Sequence, residues 1–263
     1  MEAEVASRML ERLDYVKLSP RRILDGGSGP GRDARALTAR YAGSKIIALD
    51  FSLPMLPRPG LLERLRGRAP LAVCADLAQL PLPEGTIDLA WSNMALHWLN
   101  EPLAAFQELQ RVLAPEGLLM FSTLGPDTLK ELRAAAGERR VHAFLDMHDL
   151  GDMLVHAGFA DPVMDQETLT LSWDSADALL AELRTLGGNA SPARFAGLRT
   201  PRWKQRLARE LEALRGADGR LALSFEIAYG HAFKAAPRLQ ANVPTTVSLD
   251  DMRALVRSGR RER

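Results

Sequence analysis

The sequence predicts an α/β protein built on a doubly wound, mostly parallel sheet, with a helical insertion before its last strand. Three observations predict it. Short apolar runs alternate with amphipathic segments between residues 20 and 125, the order of strand–helix–strand units. Those runs are apolar almost without interruption, as expected of strands covered on both faces. A glycine-rich turn, GGSGPG at 26–31, follows the first run directly and leads into a helix.

Taken in order, Val5 to Leu13 reads as an amphipathic helix and Arg22 to Asp25 as a short buried strand. Arg32 to Tyr41 reads as a helix, and Lys45 to Asp50 (KIIALD) as a β-branched second strand. Leu53 to Leu65 is a second helix of this unit, poorly formed at Pro54, Pro57 and Pro59. Leu71 to Asp76 (LAVCAD) and Ile87 to Asn93 (IDLAWSN) are the third and fourth strands. Pro102 to Leu113 is a strong amphipathic helix, and Gly117 to Leu124 (GLLMFSTL) a fifth strand. The rhythm then changes. Met147 to Gly158 is a helix ending at glycine. Pro162 to Leu171 is a strand candidate, and Asp174 to Arg215 is mostly helical, broken by GGNASP at 187–192. Leu221 to Lys234 alternates like a strand. The expected division is a core over 1–173, a helical insertion over 174–220, the last core strand over 221–235 and a tail over 236–263. The insertion is expected over the carboxyl ends of the strands, where such sheets bind ligands.

The chain has 263 residues, 34 Lys and Arg against 33 Asp and Glu, so net charge selects no partner. Cys74 is the single cysteine, which excludes an internal disulfide and fits a reducing compartment. The first residues mix charges among apolar side chains, unlike a signal peptide, and no run approaches the ~20 apolar residues of a membrane helix. A cytoplasmic protein is expected, with no membrane contact.

A glycine turn after a strand can hold a dinucleotide, a phosphate chain or a small molecule without phosphate. Here Gly27, Gly29 and Gly31 give G-x-G-x-G, with Arg32 where the dinucleotide fingerprint has its third glycine. The G-K-S or G-K-T of a phosphate loop is absent. The strand-end acids decide. Asp25 precedes the turn, Asp50 ends the second strand and Asp76 the third. Asp50 suits the two hydroxyls of a ribose, and Asp76 the exocyclic amine of an adenine. Asp25 fixes the loop and reaches an ammonium group directly or through water. Acids repel a pyrophosphate and attract a cation, and the set fits S-adenosylmethionine. Asp33, next in the helix, reads as a surface residue.

The stretches LDGGSGPGRD, ALDFSLPML, ADLAQLPLPEGTIDLAWSNMALHWL and RVLAPEGLLMFSTL resemble the class I S-adenosylmethionine-dependent methyltransferases over residues 20–125. SNMALHW, FSTLGPDTLKELR, MHDLGDMLVHAGFADPVMD, LRTLGGN and FEIAYGHAFK resemble, more narrowly, the malonyl-[acyl-carrier protein] O-methyltransferases of biotin synthesis, from about residue 6 to 235. The resemblance implies a Rossmann-like methyltransferase sheet and methyl transfer to the free carboxylate of a malonyl group on the carrier protein. Related proteins include a mitochondrial complex I assembly factor that acts as an arginine hydroxylase. The alternatives are therefore another small-molecule methyltransferase, or an assembly factor or protein-modifying enzyme of that kind. Members of the family usually carry an N-terminal Tyr-Asp pair that helps close the cofactor pocket. Here the chain starts almost at its first helix and Tyr15 follows that helix, so either the start is truncated or the pocket is more open than usual.

On this resemblance Asp25, Gly27, Gly29 and Gly31 surround the methionine part, and Asp50 takes the ribose. Phe51 and Met55 pack the adenine, and Asp76 with Leu77 binds its edge. Asn93 and Met94 flank the methionine end. His97 and Trp98 face substrate, with Asn93, His97 and Tyr229 the catalytic candidates and His231 beside Tyr229 on the last strand. A malonyl carboxylate is ionised near neutral pH, so no strong base is required. His142, His148 and His156 lack the spacing of a metal site, and none is expected. Between Pro192 and Arg220 eight basic residues outnumber three acids. Arg202, Lys204 and Arg206 are the candidates for docking an acidic carrier protein. Aromatics do not interleave with them, so no nucleic-acid partner is expected.

Overall fold

The computed structural model describes residues 1–60, 69–137, 141–185, 197 and 200–236. The strands are β1 (Arg22–Gly26), β2 (Lys45–Asp50), β3 (Leu71–Cys74), β4 (Ile87–Asn93), β5 (Leu113–Leu124), β6 (Phe159–Trp173) and β7 (Leu221–Lys234). They form one seven-stranded sheet in the order β3-β2-β1-β4-β5-β7-β6. β1 to β5 pair in parallel, and β7 runs antiparallel between β5 and β6. The chain order reverses beside β1, which creates a crevice at the carboxyl ends of β1 and β4.

The helices are α1 (Glu2–Arg12), α2 (Arg32–Arg40), α3 (Pro102–Val112), α4 (Lys130–Ala136), α5 (Met147–His156), α6 (Ala176–Thr185) and α7 (Pro201–Glu212). Alternation along the buried strands divides the core in two. Ile23, Leu89, Leu118 and Met120 join Val5 and Met9 of α1 and Ala34 and Leu37 of α2. Leu24, Ala90, Leu119 and Phe121 join Phe106 and Leu109 of α3 and Leu150 and Leu154 of α5. Each fully buried large side chain contributes roughly 1.5–3 kcal/mol, so both faces must be covered for the parallel strands to hold.

β5 begins at Leu113, earlier than the sequence implied, and β6 begins at Phe159. β6 passes Pro162, which has no N–H for the ladder, by shifting register between Ala160 and Val163. Asp161 takes φ 48° there. α4 was not anticipated. In place of a helix from Leu53, the described residues show a short 3-10 turn, Leu53–Met55. Residues 61–68, the GGNASP stretch and the tail from 237 lie outside the described residues.

β7 pairs with β5 only as far as Ile227 opposite Leu124, and its first residues continue beside β6. This extension carries the insertion. Leu179 of α6 and Leu207 and Leu211 of α7 bury against Leu132 of α4 and Leu221, Leu223 and Phe225 of β7. α7 starts cleanly because the Thr200 side chain accepts the Trp203 N–H and Pro201 needs no partner. No helix among the described residues is long and apolar enough to cross a membrane.

Candidate active site

The glycine turn folds back over β2. The N–H groups of Gly27 and Ser28 both donate to the Leu49 carbonyl, at 2.8 and 2.9 Å. Gly27 has φ 75°, and a Cβ there would lie 2.2 Å from the Ala95 Cβ, in the turn after β4. Gly31 has φ 74° and caps α2, and a Cβ on it would meet Pro57 at 2.7 Å. Left-handed backbone and close approach together restrict these two positions to glycine.

Asp50 closes β2 with both oxygens engaged. Oδ2 accepts from Gly29 N–H at 2.9 Å and Oδ1 from Ser52 N–H at 2.8 Å. A carboxylate has about four acceptor sites, so each oxygen keeps capacity for a ligand hydroxyl while the loop fixes its direction. Phe51 is 79% exposed and Met55 half exposed, with the Met55 methyl 3.8 Å from where a Gly29 Cβ would stand. Asp76 lies two residues beyond the end of β3 and is exposed, its Oδ1 accepting from Ala78 N–H at 2.9 Å. Leu77 is buried, its side chain packed against Gly26.

Asp25 is 1% exposed. One of its oxygens, Oδ2, has no hydrogen-bond partner among the described residues. Burial first, then the neighbouring Asp33, pushes its carboxyl well above the usual carboxylate range. Asp33 corrects the sequence reading. It is not a surface residue but is 8% exposed, and its Oδ2 accepts the indole N–H of fully buried Trp91 at 3.0 Å. Burial raises its pKa, while hydrogen bonds from Trp91 and Asn93 oppose that rise. Asn93 is held from three sides. Its Oδ1 accepts from the Ser122 hydroxyl at 2.8 Å, its Nδ2 donates to the Glu2 carbonyl at 3.2 Å, and it also bonds Asp33. Ser122 Oγ accepts the Met94 N–H at 3.0 Å, and buried Met94 sits at φ 54°. Backbone of this kind persists only where its surroundings impose it, commonly at binding sites.

His97 and Trp98 share the 3-10 turn Leu96–Trp98 after β4, with their rings 5.3 Å apart. The edge of Phe144 meets His97 at 6.0 Å, and His142 lies beside Phe144 at 5.4 Å. His97 Nδ1 is buried without a partner among the described residues. Burial, then the charge of His142, pulls its pKa down to about 4. Trp98 is 55% exposed and belongs to the mouth, not the core. Phe144, Ser122 and Trp91 were not singled out by sequence, and His142 only as a rejected metal ligand, because each joins the rim only through long-range packing.

Tyr229 pairs with Ser122 across β5 and β7, level with Asn93 at the carboxyl end of the sheet, but its side chain is already engaged. It lies under α1, where its hydroxyl donates to Glu167 at 2.5 Å and the Arg12 guanidinium stacks 3.9 Å above its ring. Arg8 pairs with the same Glu167, and Arg12 with Asp165 at 2.6 Å. His231 lines a cavity of about 740 Å³ beneath the same helix and the segment that follows it, beside Tyr229 and Phe233. Of the basic residues in the insertion, Lys204 is engaged internally, 2.8 Å from Asp177 of α6. Arg206 is 3.6 Å from Glu210, while Arg202 and Arg209 are exposed. Arg215 and Arg220 bond to Asp174. Arg194 and Arg199 lie outside the described residues. No group of three or more His, Cys, Asp or Glu among the described residues could hold a metal.

A loop of left-handed glycines, an oriented strand-end carboxylate and a buried carboxyl with an orphaned oxygen fit a nucleoside that bears a cation, as S-adenosylmethionine does. A model of the methyltransferase domain matches residues 24–121. The malonyl-[acyl-carrier protein] O-methyltransferase of Methylovorus sp. (strain MP688) is 47% identical over 249 residues, covering 91% of this chain and 84% of that protein. The protein of that name in Gallionella capsiferriformans (strain ES-2) is 48% identical, covering 91% and 86%. Among solved structures, the YcgJ protein of Bacillus superposes with TM-score 0.63 over 89% of this chain and 99% of that one, at 15% identity, which speaks for the fold alone. With close to half its residues identical to theirs over nine-tenths of its length, the chain belongs to the malonyl-[acyl-carrier protein] O-methyltransferase family.

Proposed function

We propose that this chain methylates the free carboxylate of malonyl-[acyl-carrier protein], giving the methyl ester that primes the pimeloyl chain of biotin. The observation that carries this reading is identity approaching one half over 91% of the chain, which takes in the insertion as well as the cofactor rim. When bound, S-adenosylmethionine supplies a sulfonium methyl that a carboxylate oxygen takes in line.

The chain's part is binding, orientation and exclusion of water. In this reading the loop of Gly27, Gly29 and Gly31 and the Asp25 carboxyl receive the methionine part. Asp50 receives the ribose, Phe51 and Met55 cover the adenine, and Asp76 and Leu77 meet its edge. Asn93 and Met94 flank the methionine end, fixed there by Ser122. Alignment of two bound reactants supplies roughly 7–11 kcal/mol of barrier reduction. A malonyl carboxylate is already ionised at neutral pH, so no group need remove a proton. His97, with a pKa of about 4, is neutral there and acts as a hydrogen-bonding group at the mouth, with Trp98 and Phe144 as apolar walls. Tyr229 drops out of the catalytic set, because its hydroxyl is committed to Glu167 beneath α1.

The segment from 174 to 220 serves as the docking unit. Lys204 contributes little to it, since Asp177 offsets its charge. Arg202, Arg206 and Arg209 stand at i, i+4 and i+7 of α7, one stripe turned away from buried Leu207 and Leu211. That stripe complements the acidic surface of a carrier protein. Changing all three to Glu is expected to raise KM for malonyl-carrier protein about tenfold at low salt, with much less effect on kcat. An unchanged KM removes the docking surface. For the reaction itself, label from methyl-labelled S-adenosylmethionine is expected in a base-labile ester on the malonyl-carrier protein. Cofactor binding without such an ester would favour a different acceptor.

A further inference from the structure

Two carboxyls lie beneath the glycine turn, with no neutralising cation between them among the described residues. Asp25 stands on β1, fully buried, with a backbone bond from Ala34 on one side and an orphaned Oδ2 on the other. Asp33 stands in the first turn of α2 and accepts from Trp91 and Asn93. The charged groups that face them are few. β2 contributes Asp50, which repels; α2 contributes Arg32, which acts on Asp33; β4 contributes the neutral Trp91 and Asn93; and α1 reaches Asn93 through the Glu2 carbonyl. The two acids are therefore unequal. Asp33 has two donors, Arg32 and the positive end of a helix to hold its charge. Asp25 has one donor and two repelling neighbours.

We propose that Asp25 and Asp33 form a proton-exchange site for the ligand's α-ammonium group: Asp25 keeps a proton until that cation arrives, then releases it to solvent. The proton leaves Oδ2, and the ammonium takes its place as the partner of that oxygen. Asp33 is the positioning residue, since its charge adds to burial in keeping Asp25 neutral beforehand. The inference rests on the cofactor reading of the rim and is independent of the methyl acceptor. The sign follows from linkage. A cation favours the ionised acid, so the bound state holds fewer protons, and affinity falls as pH drops through the range where the bound carboxyl stays ionised and the free one does not.

Calorimetry in two buffers of different ionisation heat tests this at pH 7 on the full chain. S-adenosylhomocysteine carries the amino group, and 5′-methylthioadenosine keeps the nucleoside without it. About one proton is expected to leave on binding the first and none on binding the second, with affinity for the first alone falling about tenfold per pH unit on acidification. Asp33→Asn, which retains an acceptor for Trp91, is expected to release fewer protons. Equal release with the two ligands, or none with either, overturns the site, and this comparison needs no variant. Unchanged release in Asp33→Asn overturns the part given to Asp33. Failure of both ligands to bind would sink the cofactor reading and this one together. Failure to methylate malonyl-carrier protein leaves both standing.

Discussion

Asp50→Ala is expected to weaken S-adenosylhomocysteine binding by at least about a hundredfold. Asp50 orients the loop by accepting from Gly29 and Ser52, and the lone pairs left on those oxygens are the ones a ribose diol would use. A hydrogen bond to a charged group contributes about 1.5–3 kcal/mol, so losing two removes about 3–6 kcal/mol, and a hundredfold, about 2.8 kcal/mol, is the floor set just below that range. Asp50→Asn separates the two tasks. It keeps one acceptor oxygen and replaces the other with a donor, which faces an N–H whichever way the amide turns. Its affinity is expected to fall between those of the wild type and the alanine variant. Unfolding in the absence of ligand reports the loop bonds alone. An alanine variant that still binds tightly would end the assignment of the ribose acid.

The parts of this fold that were legible are those set by local pattern. KIIALD and IDLAWSN coincide with β2 and β4 because both are buried on two faces and bounded by turns. The glycine spacing and the acid at the end of β2 were readable for the same reason, since each lies within a few residues of the turn it serves. What escaped depends on distant partners. Asp33 sits between Arg32 and Ala34, and nothing nearby announces that Trp91 will cover it from β4. Lys204 looked as available as its neighbours until α6 placed Asp177 beside it. Tyr229 alternates correctly with His231 and Phe233 and stands level with Ser122 at the carboxyl end of the sheet, but alternation does not say what will cover that face, and α1 does so with Arg8 and Arg12. β6 ran on past Pro162 because an irregular register with Asp161 at φ 48° absorbs the missing N–H. The mouth was hardest to read. Phe144 and His142 come from a stretch without regular structure, and only packing against His97 gives them a place.

Gly27→Ala tests whether the turn after β1 is built for backbone approach or merely tolerates glycine. Two separate penalties apply. At φ 75° an L side chain costs about 1–2 kcal/mol. The new methyl would also stand 2.2 Å from the Ala95 Cβ, against an ordinary carbon contact of about 3.5–4.0 Å. Ala95 has no rotamer to move, so the loop or the turn after β4 must shift by more than an ångström, at about 1–3 kcal/mol. The sum is about 2–5 kcal/mol in denaturant unfolding, together with loss of measurable S-adenosylhomocysteine binding, because the displaced N–H groups of Gly27 and Ser28 hold the loop to Leu49. Gly43→Ala is the control for strain alone. It has φ 93° with nothing within 4 Å of the added methyl, so about 1–2 kcal/mol of stability and no affinity are expected to be lost. Combining Gly27→Ala with Ala95→Gly removes the collision and leaves the nearest Ala95 atom, its Cα, at 3.6 Å. That double variant is expected to regain the packing share and most of the affinity while keeping the strain. If it binds no better than Gly27→Ala alone, contact between the two turns is not what shapes this rim.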